Sequence, residues 1–355
     1  MVTTDLIKGR GSQLNTPNRF SKYETVTEFI EGLDEPLIQE VVTQVFLDYP
    51  KTIVNRVESP DVGMAYSVNP YQGCEHGCVY CYARNTHEYW GFSAGLDFES
   101  KIIAKPHAAE LLAQTFDSPK WKPEVISISG NTDCYQPIER KYQLTRKLLE
   151  VCLRYKNPVG IITKNQLILR DLDVLKELAK HQLVQVFITI TALDENIRQK
   201  LEPRTTTYVN RLKVIEQLSA NGIPCGVMVA PIIPGLTNYE VAKVIKAAGK
   251  ARAYTAGYTI LRLNGQVGNL FTDWVHKSFP DAAEKILKQV AACHGGALND
   301  SRFGTRMKGE GKIAESIRNL FVTARNKHMS QQPAYAFNLA DFKRPHKAGD
   351  QYKLL

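Results

Sequence analysis

At 355 residues, with 43% hydrophobic and 23% charged side chains, the chain is long enough to bury a large core, and disordered and fibrous classes are excluded. No apolar run reaches transmembrane length, the longest (residues 226–236) being broken by Pro231 and Pro234, and the first residues form no signal-peptide segment, so no membrane partner is expected. Seven cysteines without a paired framework point to a reducing compartment, the cytoplasm, and the net charge of +9 permits a nucleic-acid partner although a solvated basic surface is the simpler account.

In chain order, residues 1–24 are polar and read as an extended arm containing Lys8, Gly9, Arg10 and Gly11. Residues 42–49 alternate apolar and polar, and with residues 53–57 they predict two added strands. From Tyr66 a strand-then-helix repeat begins. Strands are predicted at 66–71, 125–128, 159–162, 184–190, 226–230 and 258–263. Between them, Leu144, Leu148, Val151 and Tyr155 recur at helical spacing, and so do Leu172, Leu175 and Leu178 after a cap at Asp171. Val209, Leu212, Ile215 and Leu218 form a third stripe ended by Gly222, and Asn238 caps a fourth through Val241, Val244 and Ile245. Six alternating units predict an α/β fold with a parallel sheet, either an open doubly wound sheet or a partial TIM barrel. No G-x-G-x-x-G follows the first strand, which disfavours a dinucleotide site.

After Leu263 the pattern changes. Gly265, Gly268 and Asn269 read as a break, followed by helices at 281–293 and 312–323 and an irregular tail from Gln331. Residues 266–355 hold 14 basic against 8 acidic side chains, and the glycine-rich loop from Arg302 to Lys312 is a candidate lid or phosphate contact. The expected division is an N-terminal extension (1–58), a core (59–265) and a C-terminal basic helical segment (266–355).

The stretch with the sharpest chemistry is Gly73-Cys74-Glu75-His76-Gly77-Cys78-Val79-Tyr80-Cys81-Tyr82. Three cysteines spaced C-x3-C-x2-C can point at one centre if the glycines let the chain bend. Three soft ligands suit an iron–sulfur cluster with one open iron, or zinc in a Cys3His site completed by His76 or His87. The spacing leaves both open. A zinc site would make the chain a non-catalytic nucleic-acid-binding protein.

Cys74-x3-Cys78-x2-Cys81, with aromatic Tyr80 before the last cysteine, resembles the cluster loop of the radical SAM superfamily. The wording from Gly73 to Arg84, running on to Thr86-His87-Glu88-Tyr89, is similar to the branch related to spore photoproduct lyase and labelled DNA repair photolyase-like. The resemblance implies a partial (β/α)6 TIM-type barrel. It also implies a [4Fe–4S] cluster on Cys74, Cys78 and Cys81, S-adenosylmethionine on the open iron, and a reductase, flavodoxin or ferredoxin as electron donor. The activity implied is lyase-like or another radical modification, with a nucleic-acid lesion as one possible substrate.

In such barrels chemistry sits at the C-terminal strand ends. After the second strand, Gly130, Asn131, Thr132 and Asp133 occupy the place of the superfamily's glycine-rich motif, though without its Gly-Gly-Glu wording, and turn chemistry is an alternative for Asn131 and Asp133. Cys134 is a candidate hydrogen donor by the same resemblance, a fourth metal ligand, or an inert buried thiol. Further cofactor candidates are Tyr80, Lys164, Thr189 and Thr191 on one strand face, and Arg204, with Glu202 beside it. The apolar end of the fifth strand suits a flat ring, Arg262 is read as inward on the sixth, and His76, His87, Glu88 and Tyr89 as support for the loop.

Overall fold

The computed structural model describes residues 7, 9–20, 42–329 and 334–345. The predicted arm and tail are therefore seen in part, and residues 1–6, 8, 21–24, 331–333 and 346–355 of them lie outside the described residues.

Short β-branched segments form the ten strands: β1 (Gln44–Leu47), β2 (Val54–Arg56), β3 (Tyr66–Val68), β4 (Tyr71–Gln72), β5 (Lys101–Ala104), β6 (Ile126–Ile128), β7 (Val159–Thr163), β8 (Val184–Thr189), β9 (Cys225–Ile232) and β10 (Ala256–Ile260). Seven make one sheet in the order β10-β9-β8-β7-β6-β3-β2. β3 and β6 to β10 run parallel, and β2 joins the β3 edge antiparallel. No ladder joins β10 to β2 among the described residues, so the six-stranded parallel barrel is incomplete, as the sequence led us to expect.

Helices follow the strands: α1 (Leu96–Ser100), α2 (Ala108–Asp117), α3 (Glu139–Tyr142), α4 (Leu144–Tyr155), α5 (Leu172–Lys180), α6 (Glu195–Leu201), α7 (Tyr208–Ala220), α8 (Val241–Lys250), α9 (Gln266–Ser278), α10 (Ala283–Ala292) and α11 (Gly311–His328). The apolar stripes of α4, α5 and α8 are the predicted ones, whereas on α7 Val209 is exposed and Tyr208, Val214, Ile215 and Leu218 form the buried face. Leu148, Val151 and Tyr155 of α4, Leu175 and Leu178 of α5, and Val241, Val244 and Ile245 of α8 are buried in one core with the strands.

Two features depart from the sequence reading. The supposed break after Leu263 is helix α9, which runs through Gly268. A mid-helix glycine costs about 1 kcal/mol, and burial of Val267, Leu270, Phe271, Trp274 and Val275 outweighs that cost. The second departure is a three-stranded sheet, β1-β5-β4, that sits beside the barrel. β5 carries only two strongly apolar positions (Ile102, Ile103) and gave no periodic signal. It pairs antiparallel with β4, the strand leading directly into the cysteines.

Helix α11 closes the β10 side by packing on α8, with Phe321 against Tyr258 at 4.5 Å between ring centroids. A Cβ on Gly249 of α8 would stand 2.2 Å from the carbonyl oxygen of His328. Helix propensity alone makes Gly249→Ala stabilising by about 1 kcal/mol. The contact reverses the sign, and we expect a loss of about 1–3 kcal/mol in thermal or urea denaturation. A raised melting temperature would show that α11 does not dock in this way.

Candidate active site at the barrel mouth

After β3 and Pro70, β4 delivers the chain to a turn that every neighbour grips. Gly73 and Gly77 have φ of +76° and +69°, where a side chain would be strained. The amide of Cys74 donates to the Phe98 carbonyl at 2.8 Å, and that of Val79 to the Leu201 carbonyl at 3.2 Å. Fully buried Gln136 spans the turn, accepting from the Glu75 amide and donating to the Gly73 carbonyl, both at 3.0 Å. Arg84, also fully buried, donates to the Cys78 carbonyl at 2.9 Å.

Cys74 and Cys78 are buried, Cys81 is half-buried, and none is in a disulfide. Burial, with a smaller contribution from neighbouring thiols, pushes Cys78 up to about 12 and Cys74 well above its ordinary value. The Cys74 and Cys78 thiols resist ionisation unless a metal centre takes up the charge, so the donor set fits a thiolate-bound cluster. Among the described residues no three metal-binding side chains gather around a point the size of one ion. A four-iron cluster is wider than one ion, and its thiolates stand correspondingly farther apart. Of the histidines that zinc would need, His76 is engaged by other side chains, whereas neither ring nitrogen of His87 has a hydrogen-bond partner. His76 faces Asn165 (Nε2 to Nδ2, 3.1 Å) and Asp133 (Nδ1 to Oδ2, 3.4 Å), and His87 packs between Phe92 and Phe98, where burial lowers its pKa to about 4.

Two ionised carboxylates flank the turn. Asp133 accepts from the Thr163 hydroxyl (2.7 Å) and from the amides of Lys164 (2.8 Å) and Tyr135 (2.9 Å). Burial opposes its ionisation, but His76, Lys164 and Thr163 hold it well below the usual carboxylate range. Glu202 accepts from the Tyr80 hydroxyl, from Thr191 (2.9 Å) and from Arg211 (2.5 Å). Burial again opposes, and Arg211, Lys164 and Tyr80 bring its pKa down to about 2. Lys164 lies between these groups, 5.9 Å from the Tyr80 ring centroid. Burial lowers its pKa, yet Cys78, Glu202 and Asp133 together raise it, so the ammonium stays charged.

The structure thus gathers Tyr80, Asp133, Lys164 and Thr191 around the cysteine turn, with Thr189 buried on the same strand, its carbonyl bonded to Arg211 at 2.9 Å. Gly130 lies at the mouth, where its carbonyl accepts from Tyr82, a phenol 51% exposed. Asn131 and Thr132 are tied through their amides to the Asn69 side chain (2.7 and 3.4 Å), and the Thr132 hydroxyl is spent on the Tyr71 carbonyl (2.8 Å). Ser129, just before them, has φ of +83°, a rare conformation for serine, at the end of β6.

Other candidates lie elsewhere. Cys134 is completely buried in the main core, its amide on Ser129 and its carbonyl taking the Thr145 hydroxyl. Arg204 pairs with Glu75 at 3.5 Å on the outer side of the turn, not with Glu202. Arg262 lies just past the end of β10 at Ile260, between Leu261 and Leu263, which pack with α9 and α10; it donates to the Asp300 carbonyl at 3.3 Å and lies close enough to Tyr82 to influence it. In the basic loop, Arg302 is paired with Asp300 and Glu310, and Arg306 with Asp61. Gln136, Arg211 and Glu99 escaped the sequence reading because nothing in local spacing marks a partner 9 to 63 residues away. Arg84, three residues after Cys81, was within reach of it.

The radical SAM superfamily profile matches residues 68–248. An uncharacterised protein of Mycobacterium tuberculosis is 32% identical over 241 residues, covering 66% of this chain and 70% of that one. One of Methanocaldococcus jannaschii is 28% identical over 241 residues, covering 68% and 86%. Among solved structures, spore photoproduct lyase complexed with dinucleoside spore photoproduct superposes with a TM-score of 0.60 at 13% identity, over 80% of this chain and 79% of that one. That likeness speaks for the fold.

Glu202→Gln keeps the shape but leaves buried Arg211 unpaired, and we expect a loss of about 3–5 kcal/mol near neutral pH. Because the folded carboxyl titrates at about 2 instead of an ordinary 4.5, its contribution is complete above pH 4.5 and is lost as pH falls towards 2. Wild-type and variant stabilities should therefore converge across that window in urea titrations, whereas parallel curves would refute the assignment.

Proposed function

The chain belongs to the radical SAM superfamily, and we propose that it is an enzyme that holds a [4Fe–4S] cluster on Cys74, Cys78 and Cys81 and removes a hydrogen atom from a substrate at the barrel mouth. The observation that carries this reading is the set of three free thiols, two buried and one half-buried, in one gripped turn at the C-terminal ends of parallel strands. When bound, the cluster and S-adenosylmethionine supply a 5′-deoxyadenosyl radical, given one electron from an external reductant.

The chain's own residues bind, orient and exclude water. Lys164, charged inside the mouth, is suited to the carboxylate of S-adenosylmethionine. The backbone from Ser129, which has φ of +83°, to Asn131 presents the end of β6 to its amino group. Asp133 has its acceptors engaged within the protein, so it fixes this loop against β7 and His76 and does not meet a ligand itself. Thr191 and Tyr80 orient Glu202, whose charge Arg211 balances. Arg204 steadies the outer side of the turn through Glu75. Tyr82, half-exposed directly after Cys81, faces the substrate side, with Arg262 near enough to feel its charge. Cys134 is too deeply buried to serve as the hydrogen donor, and Tyr82 is the more exposed of the two phenols, Tyr80 and Tyr82, at the mouth.

A nucleic-acid lesion is supported as substrate by the net charge of +9 and by the dinucleoside bound in the structural relative. The ion pairing of Arg302 and Arg306 works against phosphate capture by the C-terminal loop.

Anaerobically reconstituted protein should contain about four irons per chain and, with dithionite, convert S-adenosylmethionine to 5′-deoxyadenosine. Cys74→Ala, Cys78→Ala and Cys81→Ala should each abolish both properties. Lys164→Ala should retain iron and raise the KM for S-adenosylmethionine about tenfold. Zinc without iron, or full cluster content in any cysteine variant, would overturn the reading.

A further inference from the structure

We propose that residues 10–19 form a clasp that positions and shields the cysteine turn, with Glu99 and Glu88 as its anchors. The proposal rests on the cluster reading above, and the clasp lies outside the span matched by the superfamily profile.

Glu99 is wholly buried, and its carboxylate is divided between two segments. Oε2 accepts from the Gly11 amide (3.1 Å), while Oε1 accepts from the Ser12 amide (2.7 Å) and from Arg84 Nη2 (2.5 Å). Arg84 passes the restraint on, through Nε to the Cys78 carbonyl (2.9 Å) and through Nη1 to the carbonyls of Ala94 (3.2 Å) and Gly95 (2.9 Å). One carboxylate and one guanidinium thus lock the arm's backbone to the backbone of a cysteine that we assign to the cluster. A buried ion pair of this kind is a poor way to gain stability, and its merit is that removing any partner is costly. What it specifies is where the arm lies.

Steric contact gives an independent view of the same docking. A Cβ on Gly11 would stand 1.6 Å from the Gly77 carbonyl oxygen and 3.3 Å from the Val79 nitrogen, so only glycine lets the arm rest on the turn between Cys74 and Cys78. A Cβ on Gly95 would stand 2.0 Å from the Leu14 carbonyl oxygen. The outer half is held as well. The Thr16 amide donates to Ser93 Oγ (2.7 Å), Asn18 Nδ2 to the Glu88 carbonyl (2.9 Å) and Arg19 Nε to Glu88 Oε2 (2.7 Å). The arm has no helix or strand of its own, so these bonds supply its order. With the clasp seated, Ser12 and Thr16 are buried and the arm covers the Gly77 side of the turn, so a chelator or oxidant approaching from that side must wait for the arm to lift.

The test compares iron release from anaerobically reconstituted wild type, Gly11→Ala, Gly249→Ala and Gly63→Ala to bathophenanthroline, together with the thermal midpoints of the metal-free proteins. Gly63 has open space around its Cβ position and serves as the control. We expect Gly11→Ala to take up iron, to have a lowered metal-free midpoint, and to release iron about tenfold faster or more than wild type and faster than Gly249→Ala, a comparable clash at the α8–α11 contact, because at least one charge-assisted bond to Glu99 is lost. Gly63→Ala should match wild type. Release from Gly11→Ala at the wild-type rate, or no faster than from Gly249→Ala, would overturn the clasp. Should Gly11→Ala fail to fold, the double variant Asn18→Ala/Arg19→Ala, which loosens only the outer half, is read in its place with the same expected direction. If wild type itself takes up no iron, the cluster reading falls and the clasp falls with it.

Discussion

Three thiols gathered in one short turn, two of them buried, constrain everything around them. Cys74 and Cys78 are costly to ionise where they stand, and an ionised neighbour raises the cost further. Such a turn is useful only if a cationic centre takes the charge, and it keeps its shape without that centre only if its backbone is held from several sides. The structure supplies the holding through β4 paired with β5, Gln136 across the turn, Arg84 on the Cys78 carbonyl and Leu201 beneath Val79.

The parallel sheet explains why the other charged groups converge there. All six barrel strands end on one side, so the residues following β6, β7, β8 and β10 reach a common mouth although they are scattered over more than 130 positions of sequence. Charges in that mouth are buried with partners: Asp133 with His76 and the Lys164 backbone, and Glu202 with Arg211 and Tyr80. The Lys164 ammonium is positioned by both and hydrogen-bonded to neither, which makes it the cation that an anionic ligand would complete.

Much of this could be read from the residues alone. The C-x3-C-x2-C spacing narrowed the metal chemistry to an iron–sulfur cluster or zinc, alternating periodicity gave a parallel α/β sheet, and the resemblance to the radical SAM superfamily chose the cluster and the partial barrel. Local patterns failed where the deciding force was a distant partner. Cys134 follows a site strand and looks exposed to the mouth, yet the backbone of the turn from Ser129 directs it into the core. Glu202 and Arg204 look like a pair two residues apart, but Arg211, one helical turn into its neighbourhood, claims the first and Glu75 the second. Gly268 looks like a helix breaker, and the apolar face of α9 overrides it. The arm at residues 10–19 carries no periodicity, so its docking on the turn was invisible until the carboxylate of Glu99 could be placed.

The central claim is that three thiolates leave one iron free to bind S-adenosylmethionine. The most direct measurement is electron–nuclear double resonance of the reduced, reconstituted protein with S-adenosylmethionine labelled at its carboxylate oxygens. A hyperfine coupling between the cluster and the label, absent with unlabelled cofactor, is the predicted result. A cluster signal that is identical with and without the labelled cofactor would contradict the account, because it would mean that the cluster offers no open site.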